Sequence, residues 1–151
     1  MIVRMIALTL TALASIATLA PDAGAKPRGA SIHVYKSPTC GCCSKWEDHL
    51  RANGFAVESE KTDQLEAIKA RHQVRPELAS CHTAVIGGYV IEGHVPAASI
   101  RKLLKKHPKG ILGLTVPGMP QGSPGMEGPV TENYTVFTFD SSGKTTPFDQ
   151  Y

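Results

Sequence analysis

"SIHVYKSPTCGCCSKWEDHLRANG", residues 31–54, changes its hydrophobic period partway along, and that change decides the fold. "SIHVYK" alternates and carries β-branched and aromatic residues, which predicts a strand ending at Ser37-Pro38. From Cys40 onward Trp46, His49 and Leu50 recur at helical spacing until Asn53-Gly54 stops the pattern. A strand therefore feeds a helix through a turn that holds Cys40, Cys42 and Cys43. These are three of the chain's four cysteines. A bridge inside so tight a group closes almost no loop and removes little entropy from the unfolded chain. Structural staples, which are usually spread along a chain, are the weaker reading.

Working outward, "FAVESEK" at 55–61 reads as a second strand, and "TDQLEAIKARHQV" as a second helix with Asp63 and Glu66 spaced as a capping box. A loop, a strand at 82–86, a turn at Gly87-Gly88 and a strand at 89–93 follow. Pro96 opens a third helix, "AASIRKLLKKH", with Ile100, Leu103 and Leu104 as its apolar stripe. Beyond it, "KGILGLTVPGMPQGSPGMEGPV" reads as a long surface loop, because 8 of the 13 residues from Pro117 to Pro129 are Gly or Pro. "NYTVFTFD" at 133–140 restores a strand, and "TTPFDQY" is its short hairpin partner.

The order β-α-β-α-β-β-α, with Cys40-x-x-Cys43 at the first strand-to-helix turn, resembles the thioredoxin fold. The expected class is α/β, a mixed sheet flanked by helices, with a Gly/Pro-rich loop and an extra C-terminal strand. The loop "LASCHT" before the hairpin faces the cysteine turn, where thioredoxins usually carry a cis-proline. Cys81 and His82 occupy that place here.

The first 25 residues have one early Arg4, an uncharged stretch from Met5 to Ala20 and the small-residue site Ala23-Gly24-Ala25, the pattern of a secretory signal peptide. The apolar stretch is shorter than the roughly 20 residues that span a membrane, so no stable span is expected. Residues 26–30 read as a disordered lead and 31–151 as one domain. A formal net charge of +3 is too weak to argue for nucleic acid. "RKLLKKHPK" at 101–109 is the one basic cluster and reads as a solvated helix face.

At a helix start, unpaired backbone N–H groups stabilise a Cys40 thiolate, and Cys43 lies one turn along on the same face. Cys42 has no part in a two-cysteine redox cycle, whereas a metal site gains from a third thiolate. Thiolates select Cu(I), zinc or iron–sulfur clusters. Zinc typically takes two separated ligand pairs, and iron–sulfur assembly before export is uncommon, so copper gains by elimination. Met119 and Met126 occur only in the Gly/Pro loop, and a thioether suits Cu(I). His94 ends the hairpin and can point back toward Cys81. His82 alternates with Cys81 and points the other way if the extended geometry holds. Trp46 reads as core, Glu47 and Asp48 as a solvated helix face, and His33, His49, His72 and His107 as surface or packing residues. No Ser/His/Asp arrangement or phosphate loop is present.

"VYKSPTCGCCSKW", "SCHTAVIGGYVIEGHVP", "ILGLTVPGMPQGSPGM" and "YTVFTFD" together resemble the CopG-type copper-resistance proteins, a bacterial periplasmic family, over residues 31–151. The resemblance implies a thioredoxin-like domain in the periplasm that holds copper in a cysteine-bridged Cu(I) cluster, with a redox-linked role in copper tolerance. It makes Cys40, Cys42, Cys43, Cys81 and His94 candidate ligands, and the Met119 and Met126 loop a lid or supplementary ligand. Copper ions and other periplasmic copper-handling proteins are the implied partners. Two other readings stand beside it. One is an enzyme, a periplasmic thiol-disulfide oxidoreductase in which Cys40 attacks and Cys43 resolves. The other is a small disulfide-stapled interaction module.

Overall fold

A computed structural model describes residues 29–151 of the chain; the expected signal peptide and most of the lead lie outside the described residues. Side chains of β1 (Ser31–Lys36) alternate between burial and exposure, with Ile32, Val34 and Lys36 turned inward. β1 is followed by α1 (Gly41–Ala52), β2 (Ala56–Lys61), α2 (Leu65–Arg71), a 3-10 turn (Pro76–Leu78), β3 (His82–Ile86), β4 (Tyr89–Glu92) and α3 (Ala97–Lys106). This is the β-α-β-α-β-β-α order expected from the sequence. β5 (Gly113–Thr115), β6 (Thr135–Phe139) and β7 (Thr145–Gln150) complete a seven-stranded sheet ordered β2-β1-β3-β4-β5-β6-β7. The β1/β2 and β4/β5 pairs are parallel and the rest antiparallel, so the sheet is mixed. Each parallel pair is joined through a helix, as a crossover requires.

Successive residues of β4 show how the layers are arranged. Ile91 belongs to a core cluster with Trp46 and Leu50 of α1 and Ile100 and Leu103 of α3, whereas Val90 belongs to a smaller one with Val74, Leu78 and Phe139. Neighbouring strand residues point to opposite faces. Helices α1 and α3 therefore cover one face, and the segment 74–78 covers the other. α2 lies on that second face as well, since its Lys69 reaches Thr83 and Glu92, which alternate with Ala84 and Ile91 of the first. Each fully buried Leu or Ile on the larger face contributes about 1.5–3 kcal/mol.

Three local expectations are corrected. The capping box is absent, because α2 starts two residues after Asp63, with Gln64 at its N-cap and no side-chain cap; the Gln64 N–H instead donates to Thr62 Oγ1 at 3.0 Å. Within the stretch read as loop, Gly113–Thr115 forms a strand, too short to show a period. A Cβ at Gly113 would overlap the Val90 carbonyl, so glycine permits that pairing. Glu47 is buried, not solvated: alternation along β1 turns Lys36 inward beneath α1, and Glu47 meets its ammonium at 2.9 Å and the Ser59 hydroxyl at 2.7 Å.

His49 acts between helices. Its Nε2 accepts the Ala97 N–H at 3.1 Å and so caps the start of α3 from α1. Burial sets its pKa below the ordinary 6.5; the Glu127 carboxylate works against that shift and the Arg101 charge adds to it. The unfolded chain therefore binds this proton more tightly than the folded one. The His49 contribution is fully present above about pH 6.5 and is lost as the pH falls from there through the folded value. Replacing His49 with Leu should cost about 1 kcal/mol through the lost cap. Denaturation midpoints between pH 5 and 8 should also show a shallower acid slope for the variant than for the parent. Parallel slopes would reject the assignment.

Candidate metal centre

Ser37, Pro38 and Thr39 turn the chain from β1 into α1, with the Cys40 N–H on the Ser37 carbonyl at 3.2 Å. Cys40 is the N-cap residue of α1, in extended backbone, and Cys43 on the first turn is fully buried. Cys40 and Cys43 are joined by a disulfide, with Cα atoms 5.4 Å apart; Cys42 and Cys81 are free and partly buried. A helix start favours negative charge, so opening this disulfide would release thiolates where the backbone stabilises them.

Cys81 comes from the opposite direction, on the segment between the 3-10 turn and β3. Its Sγ lies 3.6 Å from Cys43 Sγ and 3.8 Å from Cys42 Sγ, and Cys42 Sγ lies 3.5 Å from Cys40 Sγ. All four sulfurs fall within 4.8 Å of one another. Burial is the main cause that pushes the Cys81 thiol up to about 12, and the neighbouring Cys42 adds to it.

His94 follows β4 and presents Nε2 to Cys81 Sγ at 3.0 Å. Its Nδ1 lies 2.8 Å from the Pro124 carbonyl, which can only accept, so Nδ1 carries the proton and Nε2 offers a lone pair to the sulfur or to a metal ion. Burial holds its pKa below the ordinary value, which keeps the ring neutral. His82 corrects its sequence reading. Cys81 precedes the paired residues of β3, so strict alternation does not apply to it, and His82 Nδ1 lies 3.4 Å from Cys81 Sγ. The His82 ring is fully buried between Trp46, 4.2 Å away, and His94, 5.1 Å away between centroids. Burial first, then the neighbouring His94 ring, which opposes a second proton beside it, drives its pKa well below 6.5.

The Gly/Pro loop reaches the site through its backbone at Pro124 and Gly125. Pro124 orients His94, and Gly125, at φ +88°, packs against the start of α1, where an added Cβ would come within 2.6 Å of the Cys42 carbonyl and 2.8 Å of the Trp46 nitrogen. Gly125→Ala should therefore cost about 3 kcal/mol, from a left-handed backbone and backbone overlap together. A urea midpoint equal to the parent's would count against that packing. Met126 lines an open cleft with Cys42, Lys45 and Glu127. Met119 stands half exposed, one residue past Gly118, whose carbonyl accepts the Ser80 hydroxyl.

Two buried ion pairs support the two halves of the site, and neither was apparent in the sequence. Lys36, paired with Glu47, also donates to Ser44 Oγ at 2.9 Å on the first turn of α1. Glu92, paired with Lys69, accepts the Ser80 N–H at 2.6 Å, next to Cys81.

A mixed α/β sheet that brings four cysteine sulfurs and two imidazoles together at one helix start defines a protein with a cysteine-rich centre suited to soft metal ions. A family model described as a protein of unknown function, DUF411, matches residues 78–126. No curated protein matches the chain. Two solved structures, both of copper resistance protein CopG, are 42% identical to it and cover 82% of its length. Form 2 matches over 99% of its own chain with a TM-score of 0.77, and form 1 over 98% with 0.76. The chain belongs to the CopG copper-resistance protein family.

Proposed function

We propose that the chain is an exported, periplasmic copper-binding protein of copper resistance, whose thioredoxin-like domain holds Cu(I) in a cysteine-bridged cluster with redox-linked thiols. The observation that carries this reading is the convergence of Cys40, Cys42, Cys43 and Cys81, with His94 Nε2 against Cys81. Soft thiolates select Cu(I), and a sulfur shared between two ions lets four thiolates hold several of them. With the Cys40–Cys43 disulfide closed, only Cys42 and Cys81 are thiols. Two electrons and two protons open it and restore all four, so metal capacity follows the redox state. Met126, and Met119 on the same loop, act as a lid or supplementary thioether ligands. Other periplasmic copper-handling proteins are the natural donors and acceptors.

A thiol-disulfide oxidoreductase is the second reading, favoured by the disulfide at a helix start with Cys43 buried. It leaves Cys42, Cys81 and His94 without a role, since exchange needs two thiols. The discriminating experiment is anaerobic metal analysis of reduced protein purified from the periplasm of copper-supplemented cells. Several copper ions per chain, on a chain beginning at Lys26, are expected. Zinc or empty thiols would reject the copper reading, and full-length chain in the membrane fraction would reject export and cleavage.

A further inference from the structure

Cys81 Sγ has two kinds of neighbour. One is the sulfurs of Cys42 and Cys43; the other is a pair of imidazole nitrogens, His94 Nε2 at 3.0 Å and His82 Nδ1 at 3.4 Å. The sulfur and one nitrogen from each ring lie within 4.8 Å of one another. A tetrahedral ion with a metal–sulfur bond of about 2.3 Å and metal–nitrogen bonds of about 2.0–2.1 Å separates its sulfur and nitrogen ligands by roughly 3.6 Å. The observed sulfur–nitrogen distances of 3.0 and 3.4 Å lie close to that separation.

His82 also carries an unexplained polar group. It is fully buried, and its Nε2 has no hydrogen-bond partner among the described residues. A buried polar atom left unpaired is costly, and a ring of similar shape without nitrogens would fill the space against Trp46 without that cost. The imidazole is accounted for if its other nitrogen has a use, and that nitrogen faces Cys81. None of the three ligands is consumed by the Cys40–Cys43 disulfide, so the set is intact when the sulfur cluster has lost two of its four thiols.

We infer that Cys81, His82 and His94 form a distinct subsite with one sulfur and two nitrogens, which binds one borderline-soft divalent ion while the Cys40–Cys43 disulfide is closed. Imidazole suits Zn(II), Co(II) and Cu(II), whereas a set of four thiolates favours Cu(I). The inference rests on Cys81 and His94 being ligands, as proposed above, and adds His82 and a second class of ion. The chain then changes its metal preference with its redox state, holding Cu(I) on sulfur when reduced and a divalent ion on the mixed set when oxidised.

The test uses the disulfide-closed chain, without reductant and under anaerobic conditions, titrated with Co(II) alone. One Co(II) per chain is expected, with a thiolate-to-metal charge-transfer band and the strong visible absorption of a four-coordinate ion. His82→Gln should weaken Co(II) at least tenfold. Because His82 is buried, a second measurement uses the unsubstituted chain: on adding Zn(II), long-range 1H–15N spectra should shift His82 Nδ1 and His94 Nε2 together. Unchanged Co(II) affinity in a folded His82→Gln chain, absence of the charge-transfer band, or a His82 Nδ1 resonance that does not move would each overturn the inference. Cu(I) uptake by the reduced chain is measured separately, so a failure of the sulfur cluster is told apart from a failure of this subsite.

Discussion

Replacing Glu92 with Gln should destabilise the chain by about 3–5 kcal/mol, because it leaves the Lys69 charge buried without its counter-ion. Glu92 is fully buried and Lys69 is 3% exposed, with 2.5 Å between Oε1 and Nζ. Burial pushes the Glu92 pKa up, and the nearby Lys69 opposes that shift. The remaining bonds satisfy the carboxylate: the Ser80 N–H donates to Oε1 at 2.6 Å and the Thr83 hydroxyl to Oε2 at 2.7 Å. The same substitution weakens the acceptor that fixes Ser80, and with it the approach of Cys81 to the helix start. Urea denaturation should show a lower midpoint at an unchanged slope. Combining Lys69→Met with Glu92→Leu should recover part of the loss, since both charges leave the interior together while the Ser80 N–H and the Thr83 hydroxyl lose their acceptor. A Glu92→Gln midpoint equal to the parent's would mean that this pair does not support the fold.

Trp46→Ala should cost about 3–5 kcal/mol as well, by a different route. The indole is fully buried, faces the His82 ring at 4.2 Å and donates its Nε1 hydrogen to the Val95 carbonyl at 2.9 Å. Truncation opens a cavity beneath the cysteine turn and leaves a buried carbonyl unpaired. Trp46→Phe keeps most of the volume and should cost about 1–2 kcal/mol, the size of the lost hydrogen bond with imperfect filling. Thermal unfolding of the three chains should rank parent above Phe above Ala. An Ala variant within about 0.5 kcal/mol of the parent, the range of an ordinary surface change, would remove Trp46 from the core.

The elements that carry the site were legible because their signals are local. The switch of period at Cys40 marks β1 and α1, and Gly87-Gly88 between two apolar runs marks the hairpin of β3 and β4. With those elements in order, topology alone brings Cys81 toward the cysteine turn. What escaped depends on partners distant in sequence. Glu47 looked solvated because its cation, Lys36, stands on another element. Alternation misdirects His82 because Cys81 stands one residue ahead of the paired part of β3. The acceptor that orients His94 is the Pro124 carbonyl, a backbone atom with no residue-type signature. β5 has three residues, fewer than any period can show.

Whether four thiols act as one copper-holding unit is tested most directly by Cu(I) bound per chain. The reduced parent and each of the Cys40→Ser, Cys42→Ser, Cys43→Ser and Cys81→Ser chains would be measured under anaerobic competition with a Cu(I) chelator. Ions in a bridged cluster share sulfur ligands, so each substitution should lower copper by more than one ion's share, Cys42→Ser and Cys81→Ser included. If those two chains bind Cu(I) like the parent, while Cys40→Ser alone abolishes disulfide exchange, the cluster is contradicted and the thiol-exchange enzyme takes its place.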